Sequence, residues 1–594
     1  MKNLKSSVIL GINPTHNSSA AIMIDGKIVA AVGEERFLRV KNTQSLPVKS
    51  INYCLAQTGL RIGDISSVVI PAKGDMPFYL SILADSDIKK SGELSALNDI
   101  FRFLRYQVLH TAAYYFPNLG YLDYALSLFL NHLVGPQFRE NYKKLLSDYC
   151  LIDPAKIAYV NHHEAHAAAA YFGSGFAKKN LKTLIFTADG GGGDLSATIY
   201  RAKGNKLRLI SKTPIHTSLA QMYMFTTFHL GLKPVEDEYK VMGLAPYAPY
   251  QKVNELTSEL LRFLNIDKKT LRFKSRATTN IFHKFMPDLY RGRRFDVIAG
   301  AIQKFAETRI CEWVNLALLR YRISSLTAGG GIFANVKINQ KIAEMEQVKN
   351  VFFAPSPGDE TNSIGACYWH FSELYPDRIP EPLGNLYLGP SASDSEIEKV
   401  IVKAKKRGFR VSKPKSINET AARYLSEGKI VARFAGRLEF GARALGNRSI
   451  LADASRPEVK DEINRVIKSR DFWMPFAPSI LETYQDRYLV NPKKLESPYM
   501  MAAFETTDAG ARDLAAAIHP YDKTARAQIV KKGDNPGYFD LLERFYKLTG
   551  RAGFLNTSFN LHGEPIVCTP QDALNTFSKS GLKFMQLEKF MIEK

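Results

Sequence analysis

The sequence predicts a mixed α/β protein: a duplicated α/β domain with a cleft between its halves and a helical insert, followed by a second α/β domain. Three observations predict it. The chain has 594 residues, 45% of them apolar and 23% charged, enough for more than one sizeable core. One strand–turn–strand plan occurs twice. The stretch EPLGNLYLGPSAS (Glu381–Ser393) carries turn formers between apolar segments and divides the chain into residues 1–385 and 386–594.

The first copy of the plan is VILGI, a polar turn NPTHNSS, AAIMI, a tight turn at Asp25-Gly26, and KIVAAVGEE. Asp-Gly between apolar runs signals a hairpin, because both turn positions need positive φ. The second copy is LIFTA, DGGGGD, LSATIY, a turn at Gly204-Asn205, and KLRLIS. In such a duplicated fold the polar turn after each first strand faces the cleft. Between the copies, about residues 73–150 are rich in Leu, Tyr and Phe at helical spacing, which reads as a lid or as a scaffold helix pair. Its most apolar part, Gly120–Val134, is interrupted by Asp123, Asn131 and His132 and is too short and polar to cross a bilayer.

Five scattered cysteines, with no Cys-x-x-Cys, argue against a disulfide framework or structural zinc and for a reducing cytoplasm. The first residues lack the apolar core of a signal peptide. The net charge of +22 calls for an anionic partner. Residues 401–450 alone hold 13 basic and 3 acidic side chains, an excess of +10. Lys403–Arg410 reads as a solvated helix face, whereas Arg433, Arg437, Arg443 and Arg448 alternate with glycines and apolar residues.

In NHHEAHAAAAYF, His162 and His166 stand four apart on one helix face, while His163 points about 100° away. The order is not His-Glu-x-x-His, so the pair is either buried core or two ligands in need of a third. Candidates lie at loop ends. Asp189 opens the run Gly190–Gly193 after LIFTA, and Asp359 in SPGDETNS is a ligand or a helix N-cap. Gly329, Gly330 and Gly331 precede a helix whose first amides suit phosphate. In the second domain, RFAGRLEFGARALGNRSILAD, INRVIKSR, HPYDKTARAQIV and FLNTSFNLHGEPIV set cationic and polar side chains in apolar sequence. That suits a small phosphorylated ligand better than RNA, for which an aromatic–basic stacking motif is missing.

These motifs together resemble a known family. GINPTHNSSAA, NHHEAHAAAAYF, TADGGGGD, EDEYKVMGLAPYA, TAGGGIFANVKINQKI, SPGDETNSIGA, FAGRLEFGARALGNRSILAD and LNTSFNLHGEPIV follow, in order, those of the ATP-dependent O-carbamoyltransferases of antibiotic, nodulation-factor and related natural-product biosynthesis. The resemblance implies an actin-like (ASKHA) domain over 1–385, with the insert at about 73–150, and a YrdC-like α/β domain over 386–594. It implies two reactions. Carbamate from carbamoyl phosphate attacks ATP to give carbamoyladenylate and pyrophosphate, and an acceptor hydroxyl then takes the carbamoyl group as AMP leaves.

By motif, His162, His166 and Asp359, with Asp189 close by, are implied as Fe²⁺ ligands, a donor set that suits divalent iron. His16, Asp189 and Lys240 are implied as catalytic groups. Gly190, Gly191, Gly329, Gly330, Gly331 and Asn335 are implied as adenylate contacts. Arg437, Arg443, Arg448, Lys468, Arg470, His519, Arg526, Asn556, Ser558 and Asn560 are implied as the carbamoyl phosphate and ATP site, with Mg²⁺ accompanying ATP. The expected partner is a small-molecule hydroxyl acceptor, with no nucleic acid and no membrane, and a homodimer is the default assembly. The competing readings are threonylcarbamoyl-type transfer to tRNA and a non-catalytic nucleotide- or RNA-binding protein. The hydrogenase-maturation relative is set aside for want of Cys-x-x-Cys modules.

Overall fold

The computed structural model describes residues 7–71 and 104–594; the expected insert falls outside the described residues up to position 103. The chain packs as two compact units, Met1–Val29 with Gln44–Leu383, and Ala30–Thr43 with Gly384–Lys594. A single cut at residue 385 is therefore corrected in one respect: Ala30–Thr43 belongs with the second unit. The reason is where its cations find acceptors. Arg36 donates to the Gly441 carbonyl at 2.7 Å, and Arg39 donates to the carbonyls of Ile566 and Pro565 at 2.6 and 2.8 Å.

Strands β1 (Val8–Asn13), β2 (Ser19–Ile24), β3 (Lys27–Gly33), β4 (Ser67–Ile70) and β5 (Ile157–Tyr159) form a sheet in the order β3-β2-β1-β4-β5, with β3 counted in the first unit up to Val29. Asp25 and Gly26 adopt φ of 49° and 87°, as their turn requires. The second sheet contains β6 (Thr183–Gly192), β7 (Leu195–Lys203), β8 (Lys206–Pro214), β11 (Ser325–Gly329) and β12 (Asn350–Phe353), in the order β12-β11-β6-β7-β8; β9 (Leu264–Asp267) and β10 (Arg272–Ser275) make a separate hairpin. Read from β8, this sheet repeats the first: an antiparallel run onto the opening strand, then two parallel neighbours. The duplication is one of topology.

Helix His162–Gly173 is buried along nearly its whole length. Asn161 caps it by accepting from the His163 amide, and Glu164 accepts from the Asn161 amide. Its alanines present little bulk, so neighbouring backbones come close. A Cβ on Gly365, in helix Asn362–Leu374, would lie 2.0 Å from the Ala165 carbonyl oxygen. One on Gly329 would lie 2.8 Å from the His166 carbonyl oxygen, and one on Gly11 of β1 2.0 Å from that of Ser363.

Within the insert, Leu119–Cys150 is a single helix of 32 residues. Asp123 is buried there and accepts from Arg105 at 2.6 Å and from Asn280 at 2.6 Å, with His110 at 3.3 Å. Burial alone would raise its pKa, but the bonds from His110 and Arg105 outweigh this and hold it at about 2. Among the described residues no helix is long and apolar enough to cross a membrane, and no disulfide joins the cysteines.

The second unit has one sheet of eight strands: β13 (Arg410–Ser412), β14 (Val431–Phe434), β15 (Arg448–Ala452), β16 (Ala477–Leu481), β17 (Gln528–Val530), β18 (Gly553–Ser558), β19 (Phe584–Leu587) and β20 (Phe590–Glu593), in the order β13-β20-β19-β14-β15-β18-β16-β17. Its core is continuous from helix Asp394–Lys406 to β20. Lys403, Lys405, Lys406, Arg407 and Arg410 are exposed, as a solvated face requires.

Because Gly365 meets backbone rather than a movable side chain, Gly365→Ala must part the two helices. It should cost about 1–3 kcal/mol, measured by urea unfolding, whereas Gly63→Ala, whose Cβ would meet nothing, should change stability little.

Candidate functional site

Three parallel strands set the first site. β6, β11 and β12 run in register, with Thr187 opposite Gly329 and Ala328 opposite Phe353, so the loops that follow them emerge level. Chain ends of parallel strands are where open α/β sheets gather their ligands. Here they bring together Asp189, Gly331 and Asp359. The Asp189 carboxylate accepts from the amides of Gly190 at 2.5 Å and Gly331 at 2.9 Å.

Facing them, helix His162–Gly173 contributes His162 and His166, whose Nε2 atoms are 3.1 Å apart. Asp189 Oδ2 is 3.2 Å from His166 Nε2, and Asp359 Oδ1 is 3.4 Å from both imidazoles. All four donors lie within 4.8 Å of one another. Ligands on adjacent vertices around an ion with bonds of about 2.1 Å are spaced about 3.0–3.4 Å, so these side chains fit a single metal ion. Two Nε2 lone pairs aimed at each other are repulsive unless a proton or cation lies between them. Burial alone would lower the pKa of His166, but bonds with Asp189 and Asp359 outweigh it and raise it to about 9, while Asp189 is held well below the usual carboxylate range.

His163 stands apart from this set, as its place on the helix requires. Its Nε2 donates to the Leu195 carbonyl at 3.1 Å, so its Nδ1 accepts from Thr187 Oγ1 at 2.7 Å. Burial pushes its pKa down to about 3, which keeps it neutral. The glycine run serves this packing: a Cβ on Gly192 would lie 2.3 Å from the His162 ring. Gly191 lies against Ile215, and Gly330, at φ 97°, leaves no room for a Cβ beside the Ala188 carbonyl.

Other expected residues serve otherwise. Asn335 caps helix Val336–Glu344 and exchanges hydrogen bonds with Gln303 at 2.8 and 3.1 Å, which occupies the amide expected to contact adenylate. Lys240 lies 3.4 Å from Asp237. His16 stands half-buried on the β1–β2 turn, where its carbonyl accepts from Asn13.

In the second unit the cationic side chains divide into two groups. Arg448 is fully buried, stacks on Phe434 at 3.6 Å, and donates to the carbonyls of Ala435, Asn447 and Gly436 at 2.9, 3.1 and 3.1 Å. Arg437 donates to the carbonyls of Leu388 and Gly389. Through these bonds both hold the glycine-bearing loop. Asn556 donates into a buried network with Ser479, Gln528 and the Ala444 carbonyl, and His519 Nδ1 accepts from the amides of Tyr521 and Asp522.

The other group remains. Lys468 is buried and donates to Asn560 Oδ1 at 2.7 Å and Ser558 Oγ at 3.2 Å. Arg470 reaches Thr557 at 3.3 Å. Arg526 has a buried Nε without a hydrogen bond. Its pKa is driven well down by burial and then by Arg443 and Arg470; that of Lys468 is driven down by burial and then by Arg470 and Lys41. The charged groups acting on both are cations, an arrangement that favours a bound anion. Lys41, from the Ala30–Thr43 segment, is a member that sequence reasoning missed.

Family models for the carbamoyltransferase N-terminus and C-terminus match residues 8–368 and 422–594. The chain belongs to the carbamoyltransferase family. As a carbamoyltransferase it is an enzyme. Nodulation protein NolNO of Sinorhizobium fredii is 29% identical over 98% of this chain and 79% of its own. The uncharacterized protein MJ1051 of Methanocaldococcus jannaschii is 30% identical over 99% and 100%. Nodulation protein NolO of Bradyrhizobium diazoefficiens is 32% identical over 73% and 79%. The solved structure of full-length HypF in its phosphate- and nucleotide-bound form covers 63% of this chain and 56% of its own at 10% identity and a TM-score of 0.31, too low a likeness to carry an argument.

The two groups of arginines should separate in experiment. Arg448→Ala leaves buried carbonyls unpaired and should destabilise by about 3–5 kcal/mol. Arg526→Met relieves crowded positive charge and should leave the melting temperature equal or higher while weakening pyrophosphate binding. Thermal denaturation and calorimetric titration measure the two effects.

Proposed function

We propose that this carbamoyltransferase is an O-carbamoyltransferase working in two steps, one in each unit. The observation that carries the reading is the pair of buried Lys468 and Arg526, whose Nε is buried without a hydrogen bond; the charged groups acting on these two are the cations Arg470, Arg443 and Lys41. Adenylate formation from carbamoyl phosphate and ATP brings two anions together, and fixed cations offset their repulsion without reorganising. In this unit water cleaves the acyl–phosphate linkage of carbamoyl phosphate, giving phosphate and carbamate. The carbamate oxygen attacks the α-phosphorus of ATP; the bond to the β-phosphate oxygen breaks, and pyrophosphate leaves. Ser558 and Asn560 hold Lys468 toward the phosphates, Mg²⁺ accompanies ATP, and enclosure protects the carbamate from water.

In the first unit, for which the resemblance implies an actin-like plan, the acceptor is a hydroxyl of a small molecule. Its oxygen attacks the carbamoyl carbon, its proton passes to a base for which His16 is the candidate, and AMP leaves. His162, His166, Asp189 and Asp359 would hold a divalent iron, which when bound supplies polarisation of the carbonyl. Lys240 offers positive charge, and the loops of Gly190, Gly191, Gly329, Gly330 and Gly331, which carry no side chains, let the departing adenylate come close to the backbone.

Supplied with carbamoyl phosphate and ATP but no acceptor, the protein should release pyrophosphate; failure to do so overturns the two-step scheme. His166→Ala should keep that release and lose transfer. Arg443→Ala should slow the release by about 10²–10³-fold, yet transfer carbamoyl from supplied carbamoyladenylate.

A further inference from the structure

One buried polar group at the first site is unused by the mechanism above. Asn362 is fully buried at the start of helix Asn362–Leu374, directly after the turn that carries Asp359. Its Nδ2 lies 3.3 Å from His166 Nε2, and its Oδ1 is buried without a hydrogen-bond partner. Leaving a buried amide oxygen unpaired is unfavourable. Amide oxygen and nitrogen are interchangeable in shape, so a half-turn about the last side-chain bond exchanges them.

We propose that Asn362 is a further metal ligand, a neutral oxygen donor beside His162, His166, Asp189 and Asp359. The inference rests on the reading of those four as a metal centre. The argument is one of atom counting. A metal on His166 Nε2 takes the lone pair that Nδ2–H now faces. Nδ2–H is then left pointing at a cation, which is repulsive. The half-turn removes the repulsion and gives the unpaired oxygen a partner, and the only contact it gives up is the one the metal has already displaced. The 3.3 Å spacing from His166 Nε2 matches the 3.1–3.4 Å among the other donors. An amide oxygen adds a ligand without adding charge, so the two carboxylates still balance a divalent ion.

A second role is distinguishable, that of a hydrogen-bond donor which only orients His166. Aspartate separates the two, because it offers oxygen whichever way it turns and cannot donate. The full chain, stripped with a chelator, is titrated with Co²⁺ under nitrogen, alongside His166→Ala, Asn362→Leu and Asn362→Asp. Ligation predicts that His166→Ala abolishes binding, that Asn362→Leu weakens it by about 10–100-fold, and that Asn362→Asp binds at least as tightly as the unaltered chain. Weakening by both Asn362 variants, or by neither, overturns the proposal while leaving the metal centre standing. Absence of Co²⁺ binding by the unaltered chain overturns the metal centre and this inference with it. Should Asn362→Leu fail to fold, as circular dichroism would show, Asn362→Asp decides alone.

Discussion

The closeness of helix His162–Gly173 to the backbones around it is the constraint on which the first site depends. Two glycines, Gly365 and Gly329, and a run of alanines remove the side chains that would ordinarily hold elements about 8–10 Å apart. Carbonyl oxygens of Ala165 and His166 then sit where a Cβ of Gly365 or Gly329 would be. The site is therefore defined by backbone, the least adjustable part of a protein. Its imidazoles project from a helix that cannot slide, toward loops whose level is set by parallel register. Packing this tight tolerates few alternatives, which suits a set of donors that must hold to a few tenths of an ångström.

The two units handle charge in opposite ways. In the first, buried ionic groups are balanced: His166 lies against Asp189 and Asp359, and Asp123 against Arg105 and His110. In the second, Arg433 and Arg448 are neutralised in effect by carbonyl dipoles, whereas Lys468 meets neutral acceptors and, like Arg526, has cations as its charged neighbours among the described residues. A guanidinium ringed by carbonyls is structural, however basic its sequence looks. One left with cationic neighbours stores unfavourable energy that an anion can release on binding. The +22 of the whole chain says little about this distinction, since the most basic helix face is simply solvated.

How much was legible in the sequence follows from the range of each interaction. The hairpins were legible because alternation and Asp-Gly act over a few residues, and the duplicated plan because it is two such units. His162 and His166 were legible as a pair because four residues make about one helical turn, and the glycine runs marked the loops that join them. The division among arginines was not legible. Arg448 and Arg526 both sit amid apolar residues, and only the fold decides that one meets carbonyls and the other meets Arg443 and Arg470. Asn335 read as a ligand because its motif does, while its position as an N-cap needed the helix start in three dimensions. Lys41 and Asn362 carried no local signal: the first lies far along the chain from Lys468, and the second reads as an ordinary residue at a helix start.

The Ala30–Thr43 segment has a consequence for how the protein is made. It is synthesised well before its acceptors near Gly441 and Ile566, which lie hundreds of residues later in the chain. At about 5–20 residues per second, the ribosome takes roughly half a minute to two minutes to cover that separation. Through this interval the carbonyls that Arg36 and Arg39 reach in the folded chain do not yet exist, and the second unit cannot complete itself. Its maturation thus waits on a distant, later part of the polypeptide. A gene fragment beginning at residue 384 would encode a unit lacking a piece of itself, so the division visible in space has no single counterpart along the gene.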